Sequence, residues 1–178
     1  MSNPTKKTLN AILRTNFQPF LKKAFITLNP STEFSDNWHF EKIFYEMETF
    51  FEGDEAVLVM NLPPRSLKSI TIYIAYVAWR LGNNPSLSFM VVSHSQDLAI
   101  KHALDFRRIV EANWYLDAFT KMQKKPLKNT ETEYITANNG GRFATSMKGP
   151  GTGRGAGSLS DPRHRQHAVH PAPTQGVL

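Results

Sequence analysis

The 178-residue chain contains no cysteine, which excludes a disulfide framework and any thiolate metal site and agrees with a reducing cytoplasm. Long apolar runs are missing as well. The most apolar stretch, Ile70 to Leu81, is interrupted by Arg80 and is too short to cross a bilayer. The N-terminus, MSNPTKKTLNAILRTNF, has no continuous apolar core before a small-residue cleavage site, so neither a signal peptide nor a membrane partner is expected. Acidic residues are in the minority, 15 against 21 Lys and Arg, for a net charge of +6. That excess suits a polyanionic partner through counterion release, although many basic proteins bind no nucleic acid. No grouping of His, Asp and Glu has metal-ligand spacing. The length suits one α/β domain with a core of its own.

Residues 1–16 are polar and expected to form a loose arm. From Phe17 to Leu28 the apolar residues recur at three and four, which predicts an amphipathic helix stopped by Asn29-Pro30-Ser31. A second helix starts after Asp36 as N-cap, with Phe40, Ile43, Phe44, Met47, Phe50 and Phe51 as its stripe and Gly53 at its end. Ala56–Met60 and Leu87–Ser93 are continuous apolar runs of the kind that parallel sheets bury on both faces. Between them, Ser66 to Leu81 reads as a helix by its length and crossover position, although Ile70, Ile72 and Ile74 alternate as in a strand. Ser95 caps a further helix whose buried face is Ala99, Ala103, Phe106, Val110 and Trp114, leaving Lys101, Arg107 and Arg108 elsewhere on its surface. A basic loop, Lys121 to Lys128, precedes Glu133–Ala137 and Arg142–Ser146, which flank Asn138-Asn139-Gly140-Gly141 as a hairpin.

The stretch that organises the chain is AVLVMNLPPRSLKS, Ala56 to Ser69. An apolar run, a proline-bearing basic loop and a Lys-Ser pair at a helix head reproduce the strand, loop, helix order of a phosphate-binding loop. Backbone N–H groups face an anion at the helix N-terminus, a lysine meets the outer phosphates, and a hydroxyl holds Mg²⁺. Lys68 and Ser69 fill the last two roles. Against G-x-x-x-x-G-K-[ST], leucine stands at both glycine positions, Leu62 and Leu67. A non-glycine residue in the left-handed region costs about 1–2 kcal/mol, tolerable once in a functional loop. Pro63 and Pro64 donate nothing, so the donors run from Arg65 through Ser66, Leu67 and Lys68 to Ser69. An ordinary proline turn before a helix remains the competing reading.

The runs NLPPRSLKSITIYIAYVAWRLGNNPS, VVSHSQDLAIKHALDFRRIVEANWY, KNTETEYITANNGGRFATS and TGRGA, in that order, resemble the ATPase half of the large terminase subunit of tailed bacteriophages and prophages, from about Phe17 to Ala156. That resemblance implies an incomplete P-loop NTPase (RecA-like) α/β domain over 17–156, with a mainly parallel sheet flanked by helices. It further implies ATP and Mg²⁺ as cofactors, double-stranded DNA as partner of the complete protein, the small terminase subunit and portal as further partners, and the bacterial host cytoplasm as location. Arg65 would stabilise the γ-phosphate. Asn37-Trp38-His39 resembles a triplet near the front of the same region, where Trp38 and His39 would hold adenine; an aromatic in the first turn of an amphipathic helix is otherwise a core residue. A helicase-like translocase shares the loop and sheet, and a non-catalytic remnant is the third reading.

Past Ala156 the family would run an apolar strand ending in paired acids. Residues 157–178, GSLSDPRHRQHAVHPAPTQGVL, carry only Asp161 and neither period, and are expected to be irregular and unrelated, as after an interrupted reading frame. Such acids hold Mg²⁺ and orient the attacking water in P-loop ATPases. The nuclease half has no counterpart.

Overall fold

The helix α2 (Phe17–Leu28) buries Phe17, Phe20, Leu21, Ala24 and Phe25, the face that the three-and-four spacing marks out. It belongs to a computed structural model that describes residues 4–52, 58, 60–62, 66–147 and 166–169. The helix α3 (Trp38–Glu52) turns Phe40, Ile43 and Met47 inward. Phe17 joins the two to the next helical segment: its ring stacks on Phe44 at 5.1 Å and meets Tyr76 and Trp79 edge-on at 5.5 and 5.7 Å.

Of residues 1–16, expected to form a loose arm, most are helical. Pro4–Thr15 is a helix, α1, with Pro4 at its first position, where a missing N–H costs nothing. Leu13 is buried, and its carbonyl accepts from Trp79 Nε1 at 3.0 Å. The Ser66–Leu81 segment is helical, with a departure. Ser69–Tyr76 winds as a π-helix and passes into α4 (Val77–Asn83). Thr71 through Trp79 are all buried, so the segment is apolar all round, and the Ile70, Ile72, Ile74 alternation carries no strand. Glu48 ties α3 to it, accepting from Tyr76 Oη at 2.9 Å and Arg80 Nη1 at 3.1 Å.

The strand β1 (Ser88–Ser93) lies at the expected place, and Ser95 caps α5 (Gln96–Val110) by accepting from Leu98 N. After α6 (Asn113–Ala118) and a 3₁₀ turn at Thr120–Gln123 come β2 (Lys128–Asn129), β3 (Glu133–Ile135) and β4 (Gly141–Ser146). The expected hairpin is present, but Asn139, not a glycine, takes the left-handed conformation, with φ 63°. Gly140 and Gly141 serve close approach: a Cβ at Gly140 would collide with the Pro85 and Leu87 carbonyls, and one at Gly141 with the Tyr134 carbonyl.

Two expectations about the sheet are corrected. It is mixed, in the order β2-β3-β4-β1-β5, with β1 parallel to β4 and β5 and the other two pairings antiparallel. Its fifth strand, β5 (Gln166–Val169), comes from the segment expected to be irregular. Backbone pairing against Ser88–Val91 supplies what side-chain periodicity did not announce. Of the expected first strand, Leu58 and Met60 lie in no strand, and Ala56, Val57 and Val59 fall outside the described residues.

Candidate functional site

The loop ahead of the π segment carries the one backbone feature that the sequence pattern asks of it. Leu67 has φ 56°, so a leucine occupies the left-handed region at the position where G-x-x-x-x-G-K-[ST] has its second glycine. Lys68 follows in the right-handed region, φ −50° and ψ −42°, and Thr71 N closes the turn onto Leu67 O at 2.9 Å. A left-handed residue followed by a right-handed one turns successive N–H groups toward one side, the concavity that binds anions. Lys68 is exposed and Ser69, first residue of the π segment, is half-buried. No carboxylate among the described residues pairs with Lys68.

Two hydroxyls bracket the Lys-Ser pair without a hydrogen-bond partner, Ser66 Oγ and Thr71 Oγ1, both buried atoms. Orphaned buried hydroxyls are uncommon and mark places where a ligand or water completes the structure. His39 reaches the loop from α3, its Nε2 3.3 Å from Ser66 O. Trp38 does not join it: the residue is 77 % exposed and, among the described residues, its ring meets that of His39 edge-on at 6.5 Å. The structure therefore gathers His39, Ser66, Leu67, Lys68 and Ser69, leaves Trp38 in solvent, and does not describe Arg65, Pro63 or Pro64. Trp38 is not the core residue that its place on the helix suggested either.

Beside the head of the π segment a groove of about 250 Å³ is lined by Leu28, Ile70 and Leu104 with Asn29, Lys101, Asp105 and Arg108 at its polar side. Asp105 binds Lys101 Nζ at 3.0 Å and Arg108 Nη1 at 3.3 Å, so two of the three cations on α5 are engaged within their own helix. Among the described residues no three of His, Asp and Glu could together hold a metal ion, and no helix is long and apolar enough to cross a membrane.

A second polar cluster lies under α5, unremarked by the motif reading. Ser93 Oγ is 3.3 Å from His102 Nδ1 with both residues buried, and the fully buried Arg142 stands over the Phe106 ring at 5.3 Å. Burial, followed by the charges of Arg142 and Lys101, lowers His102 to about 4. Spacing held a clue: His102 sits three after Ala99 and four before Phe106, on the buried face of α5.

No protein-family model, no curated protein and no solved structure matches the chain.

Proposed function

We propose that the chain is the nucleotide-binding front part of a phage or prophage large terminase subunit, holding ATP with Mg²⁺ and acting, within the complete protein, on double-stranded DNA in the host cytoplasm, with the small terminase subunit and portal as partners. The observation that carries this reading is the left-handed backbone of Leu67 directly before Lys68. A strained conformation of about 1–2 kcal/mol persists where something other than local preference maintains it, and an ordinary proline turn before a helix does not require it.

The residues present suit the cofactor. Among the described residues Lys68 is an exposed cation without a carboxylate partner and would meet the outer phosphates, Ser69 would offer the hydroxyl for Mg²⁺, and the N–H groups from Ser66 to Ser69 would serve the anion. His39 steadies the loop through the Ser66 carbonyl. Arg65 takes the γ-phosphate role by resemblance. Bound ATP supplies the phosphoanhydride whose cleavage drives translocation in such motors; this chain's own residues bind and orient it.

Binding without turnover is the state that the strand content favours. The two strands that run parallel to β1, Gly141–Ser146 and Gln166–Val169, bring no carboxylate, and a missing acid/base group costs about 10²–10⁴-fold in rate. Titration calorimetry with Mg·ATP tests the reading: saturable binding is expected, lost in Lys68→Ala, and in Ser69→Ala retained for ATP but no longer strengthened by Mg²⁺. Equal binding by the wild type and Lys68→Ala removes the lysine from the site and the proposal with it.

A further inference from the structure

Arg142 lies opposite Tyr134 in the antiparallel β3–β4 pair, so both side chains project from the face of the sheet that α5 covers. Phe106 of α5 meets the Tyr134 ring at 5.6 Å and carries the Arg142 guanidinium over its own ring. Arg142 is 2 % exposed, yet its Nε and Nη2 have no hydrogen-bond partner. Those two atoms form one edge of the planar guanidinium, and their N–H bonds run side by side, the fork that grips two oxygens of a carboxylate or phosphate.

No carboxylate among the described residues pairs with this cation; Glu133, which also lines the cleft, holds its carboxylate on Lys128 Nζ. The charge facing it is another cation, Arg107, half-buried on α5, and burial together with Arg107 pushes Arg142 down to about 9. The cleft is lined by Ala103, Phe106, Arg107, Thr130, Thr132 and Tyr134 besides these. In this conformation the slot is closed to a water-sized molecule, so an oxygen ligand reaches the fork once a lining side chain moves. Two arginines lining one slot, the inner one with a whole fork unoccupied, is an arrangement that an oxyanion completes.

We propose that the cleft between α5, the Thr130–Thr132 turn and strands β3 and β4 is an oxyanion site, in which Arg142 grips a carboxylate or phosphate by its Nε–Nη2 edge and Arg107, the other cation of the lining, adds a second charge once displaced far enough to admit it. Thr132 stands at the same slot and offers a hydroxyl, whereas Thr130 Oγ1 is engaged with Glu133, donating to its carbonyl at 3.3 Å and accepting from its N–H at 3.2 Å. The site is separate from the Lys68 loop and stands whether or not that loop binds nucleotide.

The full chain is titrated with sodium acetate and with sodium phosphate, each against sodium chloride at matched ionic strength, while the Arg142 Nε–H resonance and the thermal midpoint are followed. A saturable resonance shift is expected, with a midpoint rise of about 3–6 °C at ten times Kd. A response to acetate alone assigns a carboxylate ligand, to phosphate alone a phosphate ester, and to both an unselective oxyanion site. Arg142→Met is expected to lose the response and Arg107→Gln to weaken it about tenfold while remaining folded. A resonance that moves no further in either salt than in chloride overturns the proposal, and that measurement needs only the wild-type chain.

Discussion

Leu67 and His102 are held in states that their free forms disfavour, and each yields a measurable prediction. Leucine at φ 56° should invert the usual order of small residues: Leu67→Gly is expected to be more stable than Leu67→Ala by about 1 kcal/mol in urea denaturation, because both lose the same packing and only glycine accepts the conformation freely. His102 is neutral in the fold, lowered to about 4 by burial and then by Arg142 and Lys101, against 6.5 when unfolded. As pH falls below about 6.5 the unfolded chain takes up a proton that the folded chain refuses until about 4. Stability should therefore drop across that window by up to about 3 kcal/mol. His102→Gln should flatten that part of the pH profile in equilibrium unfolding. At this scale the sequence announced Leu67, because a known pattern asked for glycine there. It did not announce Arg142, since an arginine inside a GGRFATS strand looks like a solvated residue until the sheet acquires its helix cover.

Among the elements, those with one apolar face were legible. The stripes of α2, α3 and α5 read from spacing, because each buries one side and leaves the other wet, although Trp114, expected on the α5 face, lies in α6. The π segment was legible as a helix only through its length, since burial on every side erases the period. The first helix was missed because its content is tertiary: Asn10 Nδ2 and Arg14 Nη1 donate to the Asp117 and Ala118 carbonyls at the end of α6, at 3.1 and 2.8 Å, and Lys6 pairs with Asp117 at 2.8 Å. Leu13→Ala should accordingly cost about 2–4 kcal/mol of unfolding free energy; an undocked arm would register no change. Gly140→Ala should be at least as damaging as a core truncation, because the added methyl meets backbone carbonyls that cannot rotate away.

At the scale of the molecule, the α/β class was readable and the sheet's composition was not. Strands of two and three residues, β2 and β3, are too short to show alternation, and β5 is defined by its partner rather than by its own residues. Without β5 the backbone groups of Ser88–Val91 on that side of β1 would be unpaired, an open edge that invites association between copies. A chain ending at Met147 is expected to self-associate in sedimentation at concentrations where the full chain does not.

The eight residues Ser69–Tyr76, wound as a π-helix between Lys68 and α4, act as a spacer with one residue more than the commoner winding would need. Deleting a single residue there would let the segment relax into an ordinary α-helix, as π-bulges do. With its far end fixed by α4, the near end would keep its direction to within a fraction of a turn, because the residue removed is the one that the wider winding absorbs. Removing a residue from α4, where no wider winding absorbs it, would instead turn Lys68 and Ser69 by about 100°, the angle that one residue subtends in an α-helix, so the winding of the buried segment sets where that pair points.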